Sequence, residues 1–315
     1  MAIYITIDGG TTNTRISLVK DCNVVQTLKF SVGARAGIGD NQLLKETVKA
    51  GISEILAENH LKESEIEKVL ASGMITSEYG LVNLPHLFTP AGIKELAEGA
   101  FETTIPEITE IPFVFMRGVK TESDSLAETD MMRGEETELV GILQEKDGEC
   151  VYILPGSHSK IITTDKNGKI ISFTTMLTGE MTAALSENTI LKGSLKLCDK
   201  FDEEYLLKGY EYCKEKGINE ALFKVRILKN IFSASDEQVY SFFMGVILCG
   251  EISTVAEIKP SKIVIGGKKQ LKEATRILLV NNLDCEIECV SDEKVDVSSS
   301  MGMIKIYEHK KNMKN

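Results

Sequence analysis

Ile3-Tyr4-Ile5-Thr6-Ile7-Asp8-Gly9-Gly10-Thr11-Thr12-Asn13 is the stretch that decides how this chain is read. Ile3, Ile5 and Ile7 alternate with smaller or polar residues, the period of a strand, and the run stops on an acid and two glycines. Residues 11–19 resume as a second β-rich run, Asp21-Cys22-Asn23 turns the chain, and residues 24–32 read as a third strand. The start of the chain is therefore expected to be a three-stranded meander with a Gly-Thr turn at its first corner.

Beyond the meander, Leu43, Leu44, Val48, Ile52, Ile55 and Leu56 recur at helical spacing behind Asp40, a suitable N-cap. A strand over 68–74, a helix over 91–100, a strand over 112–119 and a helix from Gly134-Glu135 follow. At Cys150 the pattern restarts. A strand runs into Pro155-Gly156-Ser157, a second covers 160–164, Asp165-Lys166-Asn167-Gly168 makes a tight turn, and a third covers 170–175. Helices dominate to Ile258, the buried run Ile263-Val264-Ile265 breaks on Gly266-Gly267, and a last helix is expected from about Ser299. A strand–corner–strand–turn–strand unit that occurs twice, one domain length apart, points to an internal duplication in the α/β class. The domains are placed at 1–148 and 149–298, with the helix 299–315 packing back on the first.

Each corner has the chemistry of a phosphate loop. In Asp8-Gly9-Gly10-Thr11-Thr12-Asn13 the glycines let backbone approach a phosphate, amides and hydroxyls donate to it, and Asp8 can hold the water shell of a magnesium ion. Pro155-Gly156-Ser157-His158-Ser159-Lys160 repeats the layout. Gly266 and Gly267, breaking a buried strand before a helix, leave room for the flat face of a nucleoside. Each element alone has an ordinary alternative as a glycine-rich turn; the three in this order describe a nucleotide clamp.

These three loops resemble the phosphate and adenosine motifs of the superfamily that contains actin and the sugar kinases. Met132-Arg133-Gly134-Glu135-Glu136-Thr137, residues 155–160, and Leu177-Thr178-Gly179-Glu180 resemble the signature blocks of the 2-dehydro-3-deoxygalactonokinase family, over the whole chain. The resemblance implies two ribonuclease H-like (actin-like ATPase) domains, each a mixed sheet with a three-stranded meander and flanking helices, around a nucleotide cleft. It implies ATP-dependent phosphorylation of 2-dehydro-3-deoxy-D-galactonate to its 6-phosphate, with ATP and Mg2+ as cofactors. A kinase for a related sugar or sugar acid, and a non-catalytic actin-like ATP-binding protein, are the alternatives. Gly10 stands where that family is expected to have Trp, and Met74 is followed by Ile75-Thr76-Ser77 rather than by a further glycine, so the departures fall on the acceptor side.

Phosphoryl transfer to an alcohol needs a carboxylate that accepts the hydroxyl proton. In related carbohydrate kinases that carboxylate is the Asp of a Gly-Asp pair opening a helix before the second phosphate loop, and Gly134-Glu135 takes that place here. Glu135 is the expected base; Glu136 and Glu138 read as acids that meet the helix macrodipole. His158 is the second catalytic candidate, with a loop residue bonded to a carbonyl as its alternative. Gly9, Gly10, Thr11, Thr12, Gly156, Ser157, Lys160, Gly266 and Gly267 are expected around the nucleotide. Asn13, Arg15 and Arg133 are expected around the acceptor, the arginines because guanidinium pairs with carboxylate in bidentate fashion.

Composition excludes several other classes. The 315 residues suit two cores, with 43% hydrophobic and 26% charged residues. A formal net charge of −11 argues against a nucleic-acid partner, and the lysines of 305–314 read as a solvated helix end. No run reaches bilayer length: the apolar stretch 242–250 reads as a buried helix, so no membrane partner is expected. Seven dispersed cysteines and an N-terminus without an export signal fit reduced thiols in the cytoplasm, and the four histidines do not group with them as zinc ligands. The expected partner is a small sugar acid; a homodimer is compatible with the sequence.

Overall fold

The computed structural model describes residues 2–144, 147–267 and 269–314. The chain divides into two compact units. The first comprises Met1–Gly148, Asp165–Ser172 and Glu293–Asn315, and the second Glu149–Thr164 and Phe173–Asp292.

In the first unit β1 (Ile3–Gly9), β2 (Thr14–Lys20) and β3 (Asn23–Phe30) form the meander, followed by α1 (Gln42–Glu58) and β4 (Lys68–Gly73). Then come β5 (Leu87–Phe88), α2 (Ile93–Gly99), β6 (Phe101–Ile105), β7 (Thr109–Phe115), β8 (Val119–Thr121), β9 (Asp130–Met132) and α3 (Glu135–Ile142). The main sheet has the order β3-β2-β1-β4-β7-β6, with β1, β4 and β7 parallel. Ile5, Ile7, Ile16, Val69 and Phe113 pack one face against Leu44, Val48 and Ile52 of α1.

The second unit restates the plan. After β10 (Cys150–Leu154), β11 (Ser159–Thr164) and β12 (Ile170–Met176) come α4 (Thr178–Asn188), α5 (Glu203–Lys216), α6 (Ile218–Asn230), α7 (Asp236–Ile258), β13 (Lys262–Ile265), α8 (Lys269–Asn282) and β14 (Glu286–Cys289). Its sheet runs β12-β11-β10-β13-β14, with β10, β13 and β14 parallel. In both sheets the first meander strand lies beside a parallel strand that returns through helices. This doubled α/β arrangement is the actin-like fold. Residues 242–250 lie inside α7, which is long and apolar enough in composition to cross a membrane, but Phe243, Met244, Leu248 and Ile252 are core side chains here.

Three local expectations are revised. The strand expected over 112–119 ends at Phe115, and after residues 116–118 the chain joins a separate three-stranded sheet, β5-β8-β9. The final helix, α9 (Asp292–Lys314), begins well before Ser299, and the serine hydroxyls are accommodated within it, as Ser298 donates to the Val295 carbonyl at 2.7 Å. This helix covers the second face of β1: Thr6 Oγ1 meets Ser300 Oγ at 2.7 Å, and Tyr4 packs edge-on against Tyr307 at 5.8 Å. Finally, Lys305 and Lys310 do not belong to a solvated end. Lys310 donates to the Ala97 and Ala100 carbonyls at 3.1 and 2.9 Å, and Lys305 donates to Val140 at 3.0 Å, so both cations meet helix C-termini.

Candidate active site

In the first unit the site grows from the carboxyl ends of β1 and β4, where Asp8 is in register with Ser72 and Gly9 with Gly73. Asp8 faces Arg15 across the antiparallel β1–β2 pair, and Arg15 Nη1 lies 3.1 Å from Asp8 Oδ2. Burial pushes the Asp8 pKa up, the Arg15 charge pulls it down, and the nearby charge of Glu135 pushes it up again. The side chain is still 29% exposed, so the carboxylate can reach a ligand. The loop after it is braced from behind. Gly10 N donates to Asn13 O at 2.8 Å, while the Gly10 and Thr11 carbonyls accept from Ala34 N and Arg35 N at 3.0 and 2.9 Å. Thr11 and Thr12 are left exposed, and Asn13 Nδ2 donates to Thr12 Oγ1 at 2.9 Å.

The start of α3 closes on the same strand ends. Gly134 has φ of 115°, in the region that favours glycine, and a Cβ there would lie 3.2 Å from the Gly73 Cα. Arg133 N donates to Glu135 Oε2 at 3.0 Å. Glu136, 0% exposed, accepts from Gly134 N with both oxygens, at 2.9 and 2.8 Å, and from Thr137 Oγ1 at 3.1 Å. Burial, and then the charge of Glu135, pushes the Glu136 pKa up to about 8. The Arg133 guanidinium is held by its own chain: Nη1 donates to Thr76 O and Oγ1 at 2.8 and 2.7 Å, and Nη2 donates to Leu84 O at 3.0 Å and lies 3.3 Å from His86 Nδ1. Burial and the Arg133 charge in turn hold the His86 pKa down at about 4.

In the second unit the loop after β10 is tied on three sides. Gly156 N donates to Ser159 Oγ at 3.2 Å. The first turn of α4 comes up beneath it: Gly179 N donates to the Gly156 and Ser157 carbonyls, both at 3.1 Å, and Glu180 N to Ser157 O at 3.2 Å. Gly267 lies against Pro155, where a Cβ would come within 2.5 Å of the Pro155 carbonyl, and Gly266 N donates to Ile153 O at 2.8 Å. The structure therefore gathers Gly156, Ser157, Gly266 and Gly267 at one end of the second sheet. His158 Nε2 is 3.0 Å from Glu180 Oε1, and Lys160, buried, donates to the carbonyl of His158 at 3.0 Å.

Glu251 of α7, 1% exposed, accepts from the Thr178 hydroxyl and bonds Ser159, and its Oε2 has no partner among the described residues. Burial pushes its pKa up. Neither Glu251 nor Ser72 and Thr137, which bond each other at 2.8 Å, was singled out in the sequence. The signal for Glu251 was one acid inside the otherwise apolar run 242–252.

The family described as 2-keto-3-deoxy-galactonokinase matches residues 8–301 of this chain. A Rhizobium meliloti (strain 1021) protein named as a probable 2-dehydro-3-deoxygalactonokinase, DgoK1, is 25% identical over 206 residues. That alignment covers 63% of this chain and 61% of the relative's length. A crystal structure from Sinorhizobium meliloti, carrying the designation 2-dehydro-3-deoxygalactonokinase provisionally, superposes with a TM-score of 0.77 at 21% identity, covering 96% of this chain and 97% of that one. The activator of 2-hydroxyisocaproyl-CoA dehydratase from Clostridium difficile, with bound ADPNP, gives a TM-score of 0.54 at 13% identity, covering 99% and 97%. The two structures establish likeness of fold.

Proposed function

Since this chain belongs to the 2-keto-3-deoxy-galactonokinase family, we propose that it transfers the γ-phosphoryl group of ATP to the terminal hydroxyl of 2-dehydro-3-deoxy-D-galactonate, giving the 6-phosphate. The observation that supports this reading within the fold is the convergence of two acid-bearing segments, since Asp8 ends β1 in register with Ser72 of β4 and Gly134, which precedes Glu135, packs against Gly73. One acid is suited to a metal's water shell and the other to an acceptor hydroxyl.

The residues present fit a magnesium nucleotide. A Cβ at Gly156 would meet nothing within 4 Å, so space is open beside the second loop, whereas at Gly179 it would strike the Gly156 carbonyl at 2.6 Å. Asp8 is partly exposed, and the exposed Thr11 and Thr12 offer hydroxyls. When bound, magnesium supplies charge neutralisation for the phosphates. In this reading the exposed hydroxyls of Thr11, Thr12 and Ser157 donate to phosphate oxygens, Gly9, Gly10 and Gly156 let backbone come close to them, and Gly266 and Gly267 leave space for the nucleoside. Lys160 stabilises the second loop from beneath through the His158 carbonyl.

Glu135 acts as the base. It takes the proton from the acceptor hydroxyl as that oxygen forms its bond to the γ-phosphorus and the bond to the ADP oxygen breaks. Burial favours the protonated form of Glu136, whose oxygens clamp Gly134 N and so fix the first turn of α3. In this reading His158, whose Nε2 lies 3.0 Å from Glu180 Oε1, donates to a phosphate. Asn13 and Arg15 border the acceptor. Arg133 shapes that side by holding the Thr76 and Leu84 carbonyls.

A panel of sugar acids and neutral hexoses with MgATP, read by coupled ADP release and product mass, tests the reading. Formation of a monophosphate of 2-dehydro-3-deoxygalactonate with the highest kcat/KM of the panel is the expected result. No sugar-acid-dependent ADP release would overturn it.

A further inference from the structure

We propose that Arg117, on the segment between β7 and β8, is the residue that pairs with the carboxylate of the sugar-acid acceptor. The inference rests on the proposed kinase function and names the specificity residue of that site. Apart from Arg35, which is exposed on the loop that braces Thr11, three arginines come from segments that converge there. Arg15 is occupied by Asp8, its register partner, at 3.1 Å. Arg133 has both Nη atoms committed to carbonyls of its own chain, at 2.8 and 3.0 Å, and to the Thr76 hydroxyl and His86. For Arg117, by contrast, the described residues provide no hydrogen bond or ion pair, and its Nε is buried without a partner. A guanidinium that only braced the fold would be bonded as Arg133 is, because buried donors left unmade are costly.

Its position follows from the register. Phe115 of β7 pairs with Ala71 of β4, and Met116 N still donates to Ala71 O at 2.8 Å. Arg117 is the next residue, so it leaves the sheet at the carboxyl ends of three parallel strands, level with Gly73. Beside Gly73 lie Gly9 on β1 and Gly134 at the start of α3. On its other side Gly118 presses against the Met132 carbonyl, where a Cβ would come within 2.4 Å, and Val119 is in register with Met132. The Arg117 backbone therefore lies between the strand that ends in Ser72-Gly73 and the segment that leads into Glu135. Ligands of open parallel sheets bind at this edge. The residue is partly exposed, so the end of its fork can meet two carboxylate oxygens at once.

The test is steady-state kinetics on the full chain with Arg117→Ala and Arg117→Lys, each checked for a wild-type melting transition. For Arg117→Ala, KM for 2-dehydro-3-deoxygalactonate should rise on the order of 10- to 100-fold, with KM for ATP moving less than about 2-fold, because a site built to bond one group discriminates strongly against its loss. Acid-over-neutral selectivity should collapse by the same factor. Arg117→Lys, which keeps charge but not the fork, should fall between, and added guanidinium ion should restore part of the Arg117→Ala rate. If Arg117→Ala does not fold, the lysine variant carries the test, and an unchanged KM there overturns the proposal. A folded Arg117→Ala with wild-type KM for the acid overturns it while the kinase function stands. A wild type that neither binds nor phosphorylates any sugar acid overturns both.

Discussion

The hydroxyl of Ser72 donates to Thr137 Oγ1 across 2.8 Å, joining the end of β4 to the first turn of α3. Ser72 is also the register partner of Asp8, and Thr137 in turn bonds Glu136. One buried hydroxyl pair therefore sets the spacing between the carboxylate proposed to serve the metal and the helix that carries the proposed base. Close packing behind α3 makes this rigid: a Cβ at Gly302 of α9 would come within 1.9 Å of the Thr137 carbonyl.

Glu135→Gln should lower kcat by a factor on the order of 10² to 10⁴, the span typical of a lost general base, with little change in KM for ATP. Its backbone bond from Arg133 N can be kept by the amide oxygen, so the melting transition should be preserved. Steady-state kinetics at saturating acceptor checks it. Near wild-type turnover would move the proton-accepting role to His158.

Asp8→Asn should shift the magnesium dependence of the rate to higher concentration more than it raises KM for the sugar acid. An amide is a poorer partner for a metal's water shell than a carboxylate. The same change removes the ion pair with Arg15, which is half in solvent and contributes about 0–1 kcal/mol, so stability should hardly move. Magnesium titrations of both proteins decide the matter, and identical curves would leave Asp8 as a turn residue.

Glu136 makes a prediction about pH and stability. Its pKa is raised in the folded protein from about 4.5 to about 8, so the folded state holds a proton that the unfolded chain gives up. The stability contributed by that proton is fully present below about 4.5 and is lost as pH climbs through about 8. Glu136→Gln, neutral at every pH, should be more stable than wild type at pH 9 and should lose less stability between pH 5 and 9. Denaturant unfolding across that range is the measurement. Wild-type stability rising with pH through this window would contradict the assignment.

The architecture was legible because its signals are local. The alternation of Ile3, Ile5 and Ile7 into Asp8-Gly9-Gly10, and its restatement before Pro155-Gly156, need only strand period and glycine chemistry to be seen. What was not legible depends on distant partners. Nothing near Thr6 announces that Ser300 will cover it, and Glu135, Glu136 and Glu138 look alike as acids at a helix start. Only the fold makes Glu136 the buried one. Arg117 was hidden by its context, since residues 112–119 read as one strand and a strand arginine reads as surface. The break after Phe115 brings it to the edge of the sheet.

The last prediction concerns Glu251, which joins the second loop to the long core helix of its unit. Its Oε1 accepts from Thr178, it bonds Ser159, and Ser159 in turn accepts from Gly156 N at 3.2 Å. One side chain thus holds both the loop proposed to bind phosphate and the helix start that supports it. Burial raises its pKa, which favours the protonated acid, and a neutral amide is then the conservative replacement. Glu251→Gln should keep KM for ATP within about 3-fold of wild type, since its oxygen can still accept from a hydroxyl. Glu251→Leu leaves the Thr178 and Ser159 hydroxyls buried and without this partner, a loss of about 1–3 kcal/mol in stability. It should also raise KM for ATP more than KM for the sugar acid, because only the nucleotide loop is loosened. Urea unfolding and paired KM values for the two variants test this. If Glu251→Leu matches wild type in both, the buried acid is packing alone and the second loop is held by its backbone bonds to Gly179 and Glu180.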